Sequence, residues 1–251
     1  MKKALWGTGL AVLLLAVGIL GIFSKVPKKG PPLVDLPGGV QGVLCRFSYA
    51  WIVPSSTGVV LVDAGLDEAA PELLQALKNR GLGPESVRAI LITHGHGDHF
   101  GGAAAFPDAR ALAHRDDIPL IRGEKKREGI VGSIFGRISS QKKPPARLEP
   151  LPDSPSVTVD GVTFTIIGLP GHSPGSIAYL YGDILFSGDA LMGKGDGVMP
   201  PNAFTSAAPE QSRRILQKLL AVPFTTIANG HTGAVFDGRK KLEKHLAANP
   251  E

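Results

Sequence analysis

The sequence predicts an α/β protein, an αββα sandwich with its reactive groups gathered at the ends of strands. Three observations predict it. From about residue 40 onward, short and fully apolar runs alternate with segments whose apolar residues repeat at helical spacing. The alternation occurs in two successive halves, parted by a basic stretch that contains Gly and Pro. Histidine and aspartate follow directly on several of the apolar runs, where a sandwich of this kind would open a cleft. A hydrophobic content of 43% and a charged content of 20% in 251 residues are ordinary for a packed core and exclude a chain that is disordered throughout.

The elements follow in order. Val59, Val60, Leu61 and Val62 read as a buried strand that ends at Asp63. Residues 69–80 read as a helix, with Leu73, Leu74 and Leu77 on one face and Gly81 as its stop. Residues 89–92 form a second buried strand that leads into a histidine-rich segment, and 109–113 a further short one. Residues 122–150 break the pattern. Their only apolar anchors are Ile130, Val131, Ile134, Phe135 and Ile138, so the stretch reads as an insert, either a short amphipathic helix or a solvated loop. Strands resume at 157–159, 162–167, 176–180 and 184–186. A helix over 209–220 presents Ile215, Leu216, Leu219 and Leu220, then come a strand over 225–228 and a terminal helix over 237–247.

The first 38 residues read differently. Residues 5–23 carry no charge over 19 positions, and a helix of that length spans roughly 28 Å, close to the hydrocarbon thickness of a bilayer. Lys2 and Lys3 precede the run, and no Ala-x-Ala site follows it. The expected organisation is a tail over 1–4, a transmembrane signal anchor over 5–23, a Lys-, Pro- and Gly-rich linker over 24–38, and one large domain over 39–251. The short tail places that domain outside the cytoplasm, with secretion after cleavage of a signal peptide as the alternative.

The formal net charge of +5 is unevenly spread. Residues 1–30 hold five lysines and no acid, and residues 122–149 hold eight basic side chains against three acidic ones. The remainder carries 14 basic residues against 19 acidic, so the body is acidic and the charge balance argues against nucleic acid as a partner. The single cysteine, Cys45, excludes an intrachain disulfide and reads as a packing residue.

The chemistry is concentrated in Thr93-His94-Gly95-His96-Gly97-Asp98-His99, where three histidines and an aspartate fall within six residues. Alternate spacing at a strand exit turns His94 and His96 to one side, and Gly95 and Gly97 remove bulk where the backbone must crowd the ligands. Imidazole and carboxylate without thiolate suit zinc, with iron or manganese as alternatives. His172, Asp189 and His231 each follow a glycine and each end an apolar run, which makes them the further ligand candidates. His114 and His245 read as structural or surface residues.

The segment 93–102 resembles the defining motif of the metallo-β-lactamase superfamily, and the segments around Asp63, His172, Asp189 and His231 match its other motifs in order and spacing. The resemblance covers roughly residues 40–240. It implies the metallo-β-lactamase fold and two divalent ions, one held by His94, His96 and His172 and the other by Asp98, His99 and His231, with Asp189 bridging them. It also implies that Asp63 orients a ligand histidine, and that Asp98 and Asp189 assist proton movement during catalysis. A pair of ions lowers the pKa of water from 15.7 toward about 7, so a hydroxide they share can act as the nucleophile.

Aspartate at position 189, where metallo-β-lactamases usually carry cysteine or serine, points to the branch of glyoxalase II thioesterases and lactonases. The expected function is hydrolysis of an ester, thioester or lactone. β-Lactam hydrolysis, phosphodiester cleavage using the basic insert, and a mononuclear-iron persulfide dioxygenase chemistry are the alternatives. Two divalent ions, two aspartates and a hydroxide leave about +1, which predicts a small anionic substrate. Lys194 is a candidate for binding it, by its place soon after Asp189.

Overall fold

The computed structural model describes residues 30–127 and 142–249. Seven strands form the first sheet and lie in it in chain order: β1 (Leu33–Asp35), β2 (Gln41–Cys45), β3 (Ser48–Pro54), β4 (Val59–Val62), β5 (Val87–Leu91), β6 (Arg110–Ala113) and β7 (Leu148–Pro150). β1 to β4 pair antiparallel, and β4 to β7 pair parallel. The parallel half requires crossovers. Helix α1 (Pro71–Asn79) supplies the one between β4 and β5, and the short α2 (Gly97–Phe100) with a 3-10 turn over Gly101–Ala105 supplies the next. One further turn of helix, α3 (Ile118–Ile121), follows β6.

The second half contains β8 (Ser156–Val159), β9 (Val162–Gly168), β10 (Ile177–Tyr181), β11 (Ile184–Gly188), a hairpin of β12 (Met192–Lys194) and β13 (Gly197–Met199), α4 (Pro209–Arg214), β14 (Thr226–Asn229), β15 (Ala234–Val235) and α5 (Gly238–Ala248). Six of these strands make the second sheet, in the order β15-β14-β11-β10-β9-β8. β10 is antiparallel to both β9 and β11, and β14 is parallel to β11, so β9, β11 and β14 all end at the same edge.

The period-2 geometry of the strands sorts their residues into three apolar layers. Tyr49, Trp51 and Val53 of β3, Val60 and Val62 of β4, and Ala89 and Leu91 of β5 face inward and meet Phe164, Tyr179 and Phe186 of the second sheet. Their neighbours Ala50, Ile52, Leu61 and Ile90 face outward, under Leu73 and Leu77 of α1. On the other side Ala178, Leu185 and Ile227 pack under Leu216, Leu219 and Leu242. Both faces of the central strands are covered, which is why they read as unbroken apolar runs rather than alternating ones. The expected αββα order of layers is the one observed.

Several boundaries differ from the sequence reading. β1 pairs with β2, so the folded domain begins inside the stretch read as a linker over 24–38. β7 closes the edge of the first sheet, so the insert ends in a strand. The segment around Lys194 is a two-stranded hairpin, not a free glycine loop. The helix read over 209–220 changes to 3-10 geometry over Ile215–Ala221, where the buried Leu216 and Leu219 stand three apart, the period of the tighter helix. Among the described residues no helix is long and apolar enough to cross a membrane. The run 5–23 and the anchors Ile130 to Ile138 lie outside the described residues.

Candidate metal centre

Every candidate ligand, and Asp63 behind them, sits just past the end of a strand. Asp63 follows β4, the 94–99 segment follows β5, His172 follows β9, Asp189 follows β11 and His231 follows β14. The two sheets are joined at that edge. The Ile177 amide donates to the Thr93 carbonyl (3.0 Å), the Tyr49 amide to Gly230 (2.7 Å), and the buried Tyr179 hydroxyl to Ile92 (3.1 Å). Two glycines allow this closeness. A Cβ on Gly188, whose φ is +51°, would stand 2.4 Å from Thr93 Oγ1. One on Gly230 would stand 2.4 Å from Asp189 Oδ1 and 2.7 Å from His99 Cε1.

The side chains gather into two adjoining sets. His94, His96 and His172 form one, and Asp98, His99 and His231 the other, each with its ligand atoms within 4.8 Å of one another. His94 Nε2 and His172 Nε2 lie 2.9 and 3.0 Å from His96 Nδ1. Asp189 reaches both sets: Oδ2 is 3.3 Å from His172 Nε2 and 3.1 Å from His231 Nε2, and Oδ1 is 3.3 Å from His99 Nε2. Asp98 Oδ2 lies 3.7 Å from both His99 and His231. All seven residues named from the sequence are thus brought together.

The hydrogen bonds behind the rings decide which nitrogen each histidine leaves free. His99 Nδ1 donates to Asp63 Oδ2 (2.7 Å), which turns its Nε2 lone pair to the site. Thr93 Oγ1 donates to the same oxygen (2.8 Å), and so accepts from His94 Nδ1 (3.1 Å). One carboxylate therefore sets two histidines, one directly and one through Thr93. Ser206 Oγ donates to the Asn202 carbonyl and receives His172 Nδ1 (3.3 Å). His231 Nδ1 donates to the Phe47 carbonyl (2.7 Å), and the Phe47 ring stacks on the imidazole.

The arrangement fits cations. Three ring nitrogens converge in the first set, and two have their proton committed on the far side of the ring, so lone pairs face lone pairs. Among the described residues, His99 Nε2 and Asp189 Oδ1 are buried without a hydrogen-bond partner. Burial, reinforced by the neighbouring histidines, pushes His94 and His96 well below the ordinary histidine range, so both are neutral as ligands must be. Burial opposes charge on His99 and His231, yet the carboxylates win. Asp189 with Asp63 and Asp98 raises His99 well above its ordinary value, and Asp189 with Asp98 raises His231 to about 9. Burial would raise Asp189, but His231 and His99 hold it well below the carboxylate range. Without cations this half of the site attracts protons in their place.

Asp63 Oδ1 accepts from the Thr93 amide and Oδ2 from both the Thr93 hydroxyl and His99, so Asp63→Asn, which replaces one of the two oxygens by a donor, can no longer serve all three. A loss of about ten- to a hundredfold in metal affinity is expected, measured by competition against a chelator. An unchanged affinity would contradict this role for Asp63.

Asp117 escaped the sequence reading. It is fully buried and accepts from the Gly95 amide (2.6 Å), Ser173 Oγ (2.5 Å) and the Gly175 amide (2.7 Å). It thereby ties the turn that carries His94 and His96 to the turn that carries His172. The bulk that Gly95 leaves out would meet the Asp117 backbone and Leu120, so protein crowds that position. Lys194 stands at the hairpin end, exposed, and its charge acts on His245 of α5. No hydrogen bond or ion pair joins it to the seven among the described residues. His114 is partly exposed and pairs with Asp116, and Cys45 is buried in the outer core.

A sequence profile of the metallo-β-lactamase superfamily matches residues 43–231. The chain belongs to this superfamily. Hydroxyacylglutathione hydrolase of Yersinia pestis (strain Pestoides F) is 33% identical over 181 residues, which is 72% of this chain and 59% of that protein. The enzyme of the same name from Pseudomonas entomophila (strain L48) is 32% identical over 185 residues, covering 71% and 59%. The chain thus spans about three fifths of these relatives. Among solved structures, the metallo-β-lactamase family protein TTHA1429 from Thermus thermophilus superposes with a TM-score of 0.67 at 24% identity, over 86% of this chain and 77% of that one. TTHA1623 in a di-iron-bound form gives 0.60 at 28%, over 87% and 98%. The subclass B3 metallo-β-lactamase BJP-1 of Bradyrhizobium japonicum gives 0.61 at 20%, over 83% and 80%, a likeness of fold alone. The superfamily binds divalent metals, and its histidine and aspartate groups are present here.

Proposed function

We propose that this chain is a binuclear metal-dependent hydrolase that cleaves an ester, thioester or lactone. One observation carries the reading: a single carboxylate, Asp189, stands between two complete ligand sets and within 3.3 Å of a histidine from each. Two cations, zinc in the first instance, supply Lewis acidity and nucleophilic water at neutral pH when bound. His94, His96 and His172 would hold one and Asp98, His99 and His231 the other, and Asp189 would serve both.

The chain's own groups do the rest. Asp63, Thr93, Ser206 and the Phe47 carbonyl fix the ring tautomers before substrate arrives, so no reorganisation is needed at that moment. Asp98 keeps part of its surface in contact with solvent and can pass a proton outward, while Asp189 is nearly closed off. The likeness to hydroxyacylglutathione hydrolases favours a thioester among the three bond types. The uncharged run over 5–23 supports attachment to a membrane, with the domain outside the cytoplasm.

The test is a panel of thioesters, lactones, β-lactams and phosphodiesters presented to the zinc-loaded protein. Turnover of a thioester or lactone at least tenfold above the other classes is expected. A preference for β-lactam or phosphodiester would contradict it.

A further inference from the structure

Arg127, the last described residue before position 128, turns back toward the ligand sets. Its Nη2 donates to the Thr205 carbonyl (2.9 Å). Its Nε is buried with no hydrogen-bond partner among the described residues, and no ion pair forms within 4.0 Å among them. With His96, His172 and Ser173 it lines a cavity of about 40 Å³ against the first ligand set. The cavity is partly open to solvent and has room for more than one water-sized group, so a polar substituent of a substrate can enter it.

The charges around Arg127 say what that group is. Burial works against its positive charge, and the acids acting on it are Asp98 and Asp189. Both belong to the proposed ligand sets, so cations would take up their negative charge and leave the guanidinium beside a net positive centre. The two other acids on the cavity wall do not replace them. Asp117 already receives three hydrogen bonds, and Asp116 is turned to His114. Lys125 and Lys126 on the same wall add positive charge. A partly desolvated guanidinium beside such a cavity, its Nε without a partner among the described residues, calls for a planar anion.

We infer that Arg127 is a specificity-determining residue that grips a carboxylate of the substrate beside the metal centre. This rests on the hydrolase reading above and names its substrate class: acyl compounds with a second, free carboxylate. Arg127 lies at the start of the basic insert, apart from Lys194, the residue expected from the sequence to bind the anion.

The experiment compares two thioesters of one thiol, S-succinyl and S-succinamoyl, which differ only in a terminal carboxylate against a carboxamide. Calorimetric binding of succinate against succinamate to the zinc-loaded protein accompanies it. The wild type should prefer the carboxylate partner by about ten- to a hundredfold in KM and in Kd, with similar kcat. Arg127→Gln should erase that preference with metal content unchanged, and Arg127→Lys should restore part of it. A preference that survives in Arg127→Gln overturns the inference. So does an equal loss on both thioesters with a lowered Tm, because Arg127 would then only brace the segment 203–206. Tighter binding of a phosphonate-terminated analogue would overturn the choice of carboxylate. If the wild type turns over neither thioester yet still prefers succinate through Arg127, the anion subsite stands and the hydrolase reading fails.

Discussion

Asp189→Ala is expected to strip the chain of both cations and leave hydrolysis at background, whereas Asp98→Ala should lose one cation and retain the other. The difference follows from where the oxygens lie. Asp189 Oδ2 reaches His172 and His231, one from each set, while Asp98 reaches only His99 and His231. Removing Asp189 takes a ligand from both sets and leaves His99 and His231 without their main counter-charge. Turnover should fall by on the order of a thousandfold or more, since water at its ordinary pKa is a poor nucleophile at neutral pH. Metal content measured beside activity separates the two variants. Equal metal loss in both would contradict the shared role of Asp189.

Asp117→Ala should cause a large loss of stability while sparing every proposed ligand. Three donors, the Gly95 and Gly175 amides and the Ser173 hydroxyl, converge on a carboxylate that is shut off from solvent. Breaking such a network strands buried polar groups and costs about 3–5 kcal/mol. For a domain of this size that corresponds to a fall in Tm of roughly 10 °C. The loss should be largest in the metal-loaded protein, because the turns that Asp117 joins carry the first ligand set, and metal affinity should fall with it. Thermal unfolding with and without zinc checks this. A Tm within a degree or two of wild type would show that the turns hold without Asp117.

The candidate ligands were legible because they are either contiguous, as in 94–99, or mark the end of an apolar run, as His172, Asp189 and His231 do. Both signals are local. Asp117 carries no such mark. Asp116 and Asp117 are adjacent and chemically alike, yet one faces solvent with His114 and the other is buried under a turn 56 residues away. Only the pairing of β6 and the return of the chain after β9 decide between them. Arg127 was hidden in the same way, as one basic residue among eight in the insert. β2 was missed for a different reason. Gly42 leaves room for the Trp51 ring. Such a residue reads as a break in an apolar run until its tertiary partner is known.

The central claim, two cations held by seven side chains, is tested most directly by elemental analysis of the purified protein against its measured concentration. Two zinc ions per chain are expected. A stoichiometry of one iron per chain, with Asp98, His99 and His231 dispensable for holding it, would contradict the binuclear centre and the hydrolysis derived from it.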